Sequence, residues 1–170
     1  MARALCLLAV LACLLLPAGG VTAQTQVPFS GLAVERDDPI EVVAESLDVD
    51  QEAGTALFVG AVVVEQGAMR LASDRLLVVY DGEGAQGDGG SRISRLRAEG
   101  SVILTTPAET AEGDVAVYDI DLGEVVMTGD VLLLQGPNVL AGDRLTIDIA
   151  SGTGRMEGRV RSILQSGRTP

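Results

Sequence analysis

A stretch of this chain occurs twice, 69 residues apart, and this repeat constrains the fold more than any single residue does. Residues 60–67 (GAVVVEQG) match residues 129–136 (GDVLLLQG), and residues 71–76 (LASDRL) match residues 140–145 (LAGDRL) at the same offset. A fixed internal period is typical of one supersecondary unit stacked on copies of itself, because each copy gains a core only from its neighbours. The sequence therefore predicts a repeat architecture.

A shorter period of 29 residues lies inside the longer one. Residues 113–131 align with residues 142–160, and further copies begin near Asp50 and Leu76. The copy that begins near Leu76 is stretched by a glycine-rich insert at 82–90. We interpret each unit as strand, short turn, strand, glycine, strand.

The segments between the turns have the alternation of half-buried strands. Residues 144–149 (RLTIDI) alternate strictly between polar and apolar side chains, and turn signals rich in glycine recur at short intervals along the chain. This pattern predicts β-structure, and no segment of helical length carries a sustained apolar stripe of period 3.6. The predicted fold class is all-β.

The first 23 residues have the pattern of a cleaved secretory signal. Arg3 precedes an apolar run at 5–16, and small residues at 21–23 suit a cleavage site near Ala23. The run is too short for a membrane span, which needs about 20 residues. The predicted division is a signal peptide at 1–23, a flexible N-terminal segment at 24–38, a β-domain at 39–163 and a C-terminal tail at 164–170.

The chain that remains after cleavage excludes several classes of function. It has no histidine, lysine, tryptophan or cysteine, because Cys6 and Cys13 both lie in the signal. It contains 11 arginines and 24 acidic residues, and the resulting net charge of −13 argues against nucleic-acid binding. Catalytic triads, thiolate nucleophiles and metal sites with histidine or cysteine ligands are excluded. We expect no enzyme activity, no catalytic residue, no metal and no cofactor.

Carboxylates are the remaining candidates for chemistry. Asp119 with Asp121, and Asp48 with Asp50, each share one strand face and are interpreted as solvated charges that protect strand edges. Residues 48–52 lack the spacing of a calcium loop, and the insert does not repeat as calcium-binding β-rolls do. The recurring Asp-Arg pairs at 74–75 and 143–144 are expected to begin strands and shape turns.

The interior is predicted to be lined by medium-sized aliphatic side chains, because the chain contains only four aromatic residues. Two such faces can pack tightly as a filled core, or stand apart as an apolar trough, and the sequence leaves both open. The predicted lining residues are Leu47, Val49, Phe58, Val62, Val64, Leu76, Val78, Tyr80, Tyr118, Val131, Leu133, Leu145, Ile147 and Ile149.

A signal peptide, the segment 40–50 (IEVVAESLDVD) and the repeated Gly-x-Val and Leu-Ala-x-Asp-Arg-Leu motifs together resemble the OstA-like (LptA) family of periplasmic lipopolysaccharide-transport proteins. The resemblance covers residues 39–160. It implies an elongated, twisted antiparallel β-jelly roll, open at both ends, that lies in the periplasm and shields the acyl chains of lipid A in an apolar trough. It also implies head-to-tail assembly by strand addition, with LptC-like and LptD-like partners at the inner and outer membranes.

Two other functions remain open from the residues alone. A secreted β-solenoid or adhesin-like module would have a solid core and no ligand, and an acidic glycan-active β-solenoid enzyme would need converging carboxylates. The charges at the ends of the chain favour assembly, because residues 35–52 carry a net charge of −7 and residues 155–170 one of +3. We expect the acidic N-terminal edge of one copy to add to the basic C-terminal edge of the next.

Overall fold

The computed structural model describes residues 25–28, 38–81 and 92–165. The predicted signal peptide and the glycine-rich insert lie outside these residues. Eleven strands form in the described part of the chain: β1 (Thr25–Pro28), β2 (Glu41–Val43), β3 (Ser46–Asp50), β4 (Thr55–Gln66), β5 (Met69–Asp81), β6 (Arg92–Thr105), β7 (Glu109–Asp119), β8 (Glu124–Gln135), β9 (Asn138–Asp148), β10 (Thr153–Glu157) and β11 (Arg161–Ile163).

The strands form one antiparallel sheet in which β4 to β10 follow one another as a meander. The order is β1-β10-β9-β8-β7-β6-β5-β4-β2, with β3 also paired to β4 and β11 also paired to β9. Every described strand pairing is antiparallel. A β-helix stacks its coils through parallel ladders, so this topology does not support the solenoid alternative.

Each long strand bends near its middle, where the pairing register shifts. The shifts lie between Val59 and Val62 in β4, between Glu99 and Val102 in β6, and at matching places in β5, β7 and β8. The bends fold the sheet into two layers. Leaf A comprises β1, β3, β10 and residues 55–59, 75–81, 92–99, 115–119, 124–128 and 144–148. Leaf B comprises β2, β11 and residues 62–66, 69–72, 102–105, 109–113, 131–135 and 138–142.

The bends explain the sequence repeat. Four glycines with φ between 74° and 90° (Gly60, Gly100, Gly129 and Gly158) each precede a non-glycine residue that also has positive φ. An acidic side chain lies against each glycine: Asp74, Asp114 and Asp143 come from the neighbouring strand, and Glu45 from the connection between β2 and β3. Only glycine leaves room for such an approach and adopts such φ values without strain. The recurring unit is therefore a hairpin of one acidic strand and one glycine strand.

Two sequence interpretations are corrected by these bends. The glycines do not separate short strands, because β4, β6 and β8 each continue through theirs as one strand with a bulge. Asp74 and Asp143 do not begin strands either, since they lie in the middle of β5 and β9 at the bend. Sequence periodicity shows where a unit recurs, but it does not distinguish a bend within a strand from a turn between strands, because both require glycine.

The two ends of the sheet differ. At the N-terminal end, β3 and β2 pair with the two halves of β4 and act as two halves of one bent strand. At the C-terminal end, β10 and β11 pair with the two halves of β9 in the same way. Strand β1, from the segment that we expected to be flexible, pairs with β10 at this far end. In the described residues, no helix is long and apolar enough to span a membrane.

Candidate functional site

The space between the two leaves is the candidate site, and alternation along the strands directs apolar side chains into it. On β8, Val125 and Met127 of leaf A and Val131 and Leu133 of leaf B are all at most 2% exposed. Because side chains alternate between the faces of a strand, these four lie on the same face of β8 on both sides of its bend. The bend turns the two halves of that face towards each other.

Nine of the fourteen predicted lining residues are buried in this interior. They are Val62, Val64, Leu76, Val78, Tyr118, Val131, Leu133, Leu145 and Ile147. Three more, Phe58, Tyr80 and Ile149, are partly buried and pack against the core. The structure thus brings twelve of the predicted residues together in one continuous apolar interior.

Leu47 and Val49 are different, because they are 51% and 62% exposed. They pair in register with Phe58 and Ala56, and Ala56 is buried in the interior. Residues directly opposite one another on neighbouring strands share a face of the sheet, so both belong to the interior face. They are exposed because β3 is the last described strand of leaf A at this end. The interior therefore continues to an open apolar end.

Side chains of the two leaves bury one another, and twelve large ones are at most 2% exposed. A cavity of about 30 Å³ remains between them, which is room for roughly two water-sized spheres at ~10–15 Å³ each. Its lining comes from both leaves: Val64, Met69, Leu71, Leu76, Leu96, Ala98, Leu104, Ala116, Tyr118 and Val125. Of the two arrangements that the sequence left open, this structure has the packed one.

Seven of the ten cavity-lining residues were not among the predicted ones. Leu96, Ala98 and Leu104 lie on β6, which has a bulge between Glu99 and Val102. The buried residues of β6 occupy the even positions 96, 98, 102 and 104, so one alternation continues on both sides of this bulge. Read in this way, the sequence 96–98 and 102–104 contains the signal that would have found these residues.

A row of polar side chains borders the interior along the hairpin edge of leaf B. Gln66, Thr106 and Glu109 are at most 7% exposed, although they are polar. The Thr106 hydroxyl donates to Glu109 Oε2 at 2.7 Å, and Gln135 Nε2 donates to Glu109 Oε1 at 3.2 Å. Gln66 Nε2 donates to the Asp38 carbonyl at 3.1 Å, while Gln66 Oε1 is buried and has no hydrogen-bond partner among the described residues. The interior thus has a polar border on this side.

The outer face of leaf A carries ion pairs that account for one pair of candidate carboxylates. Arg95 donates to Asp119 at 2.9 Å, and Arg92 bridges to Asp121 at 3.0 Å. The hydrogen bond from Arg95 lowers the pKa of the Asp119 carboxyl, and the Leu122 backbone N–H lowers it further. A carboxylate with a lowered pKa stays ionised and is poorly suited to be a general acid. These two aspartates form structural ion pairs.

Of the other candidate pair, Asp50 stabilises a backbone turn. Asp50 Oδ1 accepts the N–H groups of Glu52 and Ala53 at 3.0 and 2.9 Å, and so holds the turn between β3 and β4. At the C-terminal bend, the hydrogen bond from Arg159 lowers the pKa of Asp143, and the same contact raises the pKa of Arg159. Among the described residues, no group of three histidine, cysteine or acidic side chains could hold a metal ion.

Comparisons with known proteins agree with this architecture. Residues 41–153 match the sequence model of the family described as LptA/(LptD N-terminal domain) LPS transport protein. An uncharacterised protein of Rhizobium meliloti, R00383, is 27% identical over 152 residues, covering 86% of this chain and 82% of its own length. The lipopolysaccharide export system protein LptA of Escherichia coli K12 is 26% identical over 126 residues, covering 71% of this chain and 65% of its own length.

A solved structure has the same fold. The crystal structure of LptH from Pseudomonas aeruginosa, described as the LptA-homologous periplasmic component of the conserved lipopolysaccharide transport device, superimposes with a TM-score of 0.66 at 20% identity. It covers 76% of this chain and 97% of the LptH chain. The all-β class and the antiparallel jelly roll expected from the sequence are confirmed. With its family match over 41–153, the chain belongs to the LptA/(LptD N-terminal domain) family of lipopolysaccharide-transport proteins.

Proposed function

We propose that this protein is a periplasmic bridge that carries lipopolysaccharide from the inner to the outer membrane and shields the acyl chains between leaf A and leaf B. The observation that carries the proposal is the continuous apolar interior, which is lined by buried side chains on every strand from β4 to β10. Transfer of apolar surface from water to such an interior is worth about 25 cal/mol per Å². No reaction is needed for this function, in agreement with the predicted absence of catalytic residues.

Acyl chains would have to enter by separating the leaves. A cavity of about 30 Å³ cannot hold a fatty acyl chain. When the leaves move apart, the contacts between them are replaced by contacts between the leaves and the lipid, so little apolar surface need be left in water. The two leaves are joined at the bends, and the hairpin turns at their outer edges are the places where they can part. The polar row of leaf B lies at one such edge.

The exposed interior face of β3 gives the lipid a route from one protein to the next. Leu47 and Val49 extend the apolar lining to the N-terminal end of the sheet, where they are exposed. A partner strand added to β3 would cover them and continue both the sheet and the interior. We propose LptC-like and LptD-like partners, and further copies of this chain, as the proteins that add at the two ends.

The head group would lie outside the interior. Phosphorylated lipid A is anionic, and the chain without its predicted signal carries a net charge of −13. Ion pairing with phosphates is therefore a poor source of affinity for this protein. Acyl-chain burial does not depend on that charge, because it follows apolar area.

The test is photocrosslinking from two neighbouring positions on β7. A photoreactive phenylalanine analogue replaces Tyr118, which is 8% exposed and faces the interior, or Val117, which faces outwards on the same strand. The variants are expressed in a bacterium that makes lipopolysaccharide, irradiated, and probed for adducts with lipid A by mass spectrometry. We expect an adduct from position 118 and at most a trace from position 117. Equal labelling at both positions, or none at either in folded protein, would contradict an interior lipid site.

A further inference from the structure

The edge of leaf A at the C-terminal end is already occupied by the chain itself. β1 pairs with β10 in antiparallel register, with Thr25 opposite Met156 and Val27 opposite Gly154. The β11 edge of leaf B, in contrast, has no second strand among the described residues. The C-terminal end therefore presents one covered edge and one uncovered edge. Unpaired strand edges are sites of uncontrolled pairing between molecules, and proteins commonly cover them.

β1 occupies the edge of β10, and a second copy that extends the sheet would need the same edge for its own β3. At the opposite end of the sheet, β3 is the outermost described strand of leaf A and β2 the outermost described strand of leaf B. If a second copy extends both leaves, its β3 must pair with β10 and its β2 with β11. β1 runs antiparallel to β10, as that β3 would have to run to continue the meander. Among the described residues, no strand lies beyond β11, so that edge can receive its strand directly.

We propose that β1 is an intramolecular cap on β10 that the β3 strand of a second copy displaces when the chains assemble head to tail. This inference rests on the proposed bridge function, because it concerns how the bridge extends. The cap keeps a single molecule from pairing at random, and its removal is coupled to arrival of a strand with the correct sequence. The partner of this edge is thus a second copy of this chain.

Sequence and charge favour the incoming strand over the cap. β1 (TQVP) has four residues, no charge and a terminal proline, which cannot donate a backbone hydrogen bond. β3 (SLDVD) has five residues and two aspartates. If Val49 takes the place of Val27, then Asp48 comes opposite Arg155, which is exposed on β10. The incoming copy also gains the contact of β2 with β11, which β1 does not make.

The first experiment locks the cap with a disulfide. Gln26 and Arg155 are register partners, and opposite residues in antiparallel strands are close enough for a disulfide to form. The Gln26→Cys/Arg155→Cys variant of the protein without its signal contains no other cysteine. Oxidised and reduced samples of this one variant are compared by sedimentation over a concentration series at low salt. Because the sequence is the same in both, the reduced sample is the matched control for the lost arginine.

We expect the disulfide to form within one chain and the oxidised protein to associate at least about tenfold more weakly than the reduced protein. Two results would overturn the cap. One is a disulfide that forms only between chains at low concentration, because β1 would then pair with β10 of another molecule. The other is equal association of the oxidised and reduced samples.

A second variant opens the cap without a crosslink. Alternate residues of an antiparallel strand direct their N–H groups towards the neighbour, so prolines at Gln26 and Val27 remove whichever amide faces β10. The matched control, Gln26→Ser/Val27→Thr, keeps both amides. We expect the proline variant to associate more strongly than the control, and the amides of Thr153–Glu157 to lose hydrogen-exchange protection in dilute monomer. Unchanged protection would show that β1 does not cover β10.

These measurements separate failure of the cap from failure of the bridge. If the proline variant and both the reduced and the oxidised cysteine variant associate to the same extent, the head-to-tail bridge remains supported but β1 does not cap it. If the proline variant loses protection on β10 and still stays monomeric at every concentration, the cap exists but a second copy does not displace it. That last result would overturn both this inference and self-assembly of the bridge, while photocrosslinking of lipid at Tyr118 would still test lipid binding alone.

Discussion

Replacement of Gly129 by alanine tests the bends that set the two leaves face to face. Gly129 has φ +90°, and a Cβ placed on it would lie 2.6 Å from Cβ of Asp114 on the neighbouring strand. Positive φ costs an L-residue roughly 1–2 kcal/mol. The Asp114 Cβ is attached directly to the backbone, so no side-chain rotation relieves the contact, and a shift of the packed bend adds about 1–3 kcal/mol. We expect Gly129→Ala to lower the free energy of unfolding by about 2–5 kcal/mol.

Gly136 provides the matched control in the same hairpin. It also has positive φ, +55°, but a Cβ placed on it has no atom within 4 Å. Gly136→Ala should therefore cost only the backbone contribution of about 1–2 kcal/mol. The measurement is equilibrium unfolding in urea, followed by circular dichroism, with both variants at the same pH and salt. We expect a difference of about 1–3 kcal/mol between them from the contact with Asp114.

A double-mutant cycle checks the cause. In the Asp114→Gly background the Cβ contact is absent. Gly129→Ala should then lower the free energy of unfolding only by the cost of positive φ, without the part that comes from the contact. Mutations of independent sites add within ~0.3–0.5 kcal/mol. A cycle that is additive within that range, or a Gly129→Ala variant no less stable than Gly136→Ala, would refute the view that close approach at the bend requires glycine.

Three further predictions follow from the interior and from the outer face. Val78→Asp and Ile147→Asp each place an unpaired charge in the apolar interior, so we expect them to lower stability by several kcal/mol and to lose co-purifying lipopolysaccharide. Leu122→Asp, at a position 70% exposed, should change neither quantity. If the folded Val78→Asp and Ile147→Asp variants bind as much lipid as the parent, these side chains do not line the site. The lowered pKa values of Asp119 and Asp143 stabilise the fold at pH values above the ordinary carboxyl pKa of 3.8, and this contribution is lost as the pH falls through the lower folded-state values. Asp119→Asn should therefore make the urea midpoint fall less steeply below pH 4 than it does in the parent, and an unchanged pH profile would contradict the assigned ion pair. Finally, we expect no sustained hydrolysis of polysaccharides or esters, and turnover that disappears in Asp119→Asn would contradict a purely binding function.

The acidic charge of the chain bears on how it would assemble. The residues of β3 and β2 include Asp48, Asp50 and Glu41, whereas Arg155 and Arg161 lie on β10 and β11. Opposite charges at opposite ends favour encounter in one orientation and weaken as salt screens them. Head-to-tail association by this route should decrease with ionic strength. This dependence distinguishes it from association driven by the exposed side chains of Leu47 and Val49 alone.

The sequence was most informative where a local rule applies. Period-2 alternation places Leu145 and Ile147 inside and Thr146 outside, because successive side chains of a strand point to opposite faces. Outside the copy that is stretched by the insert, the glycines and acids recur every 29 residues, because each repeat has one glycine with positive φ and one acid beside it. The family resemblance rested on these same motifs, and the match over 41–153 confirms it.

What depends on contacts between distant parts of the chain needed the tertiary structure. The same glycine pattern serves a turn or a bend, and only the pairing of β4, β6 and β8 with their neighbours shows that it marks a bend. Leu47 and Val49 have the same alternation as the buried residues, but they are exposed because their strand is the last described one of leaf A. Local pattern determines which face of a strand is apolar, whereas neighbouring strands determine whether that face is covered. For the same reason, nothing in the sequence of β1 indicates that it pairs with β10, more than 120 residues further along the chain.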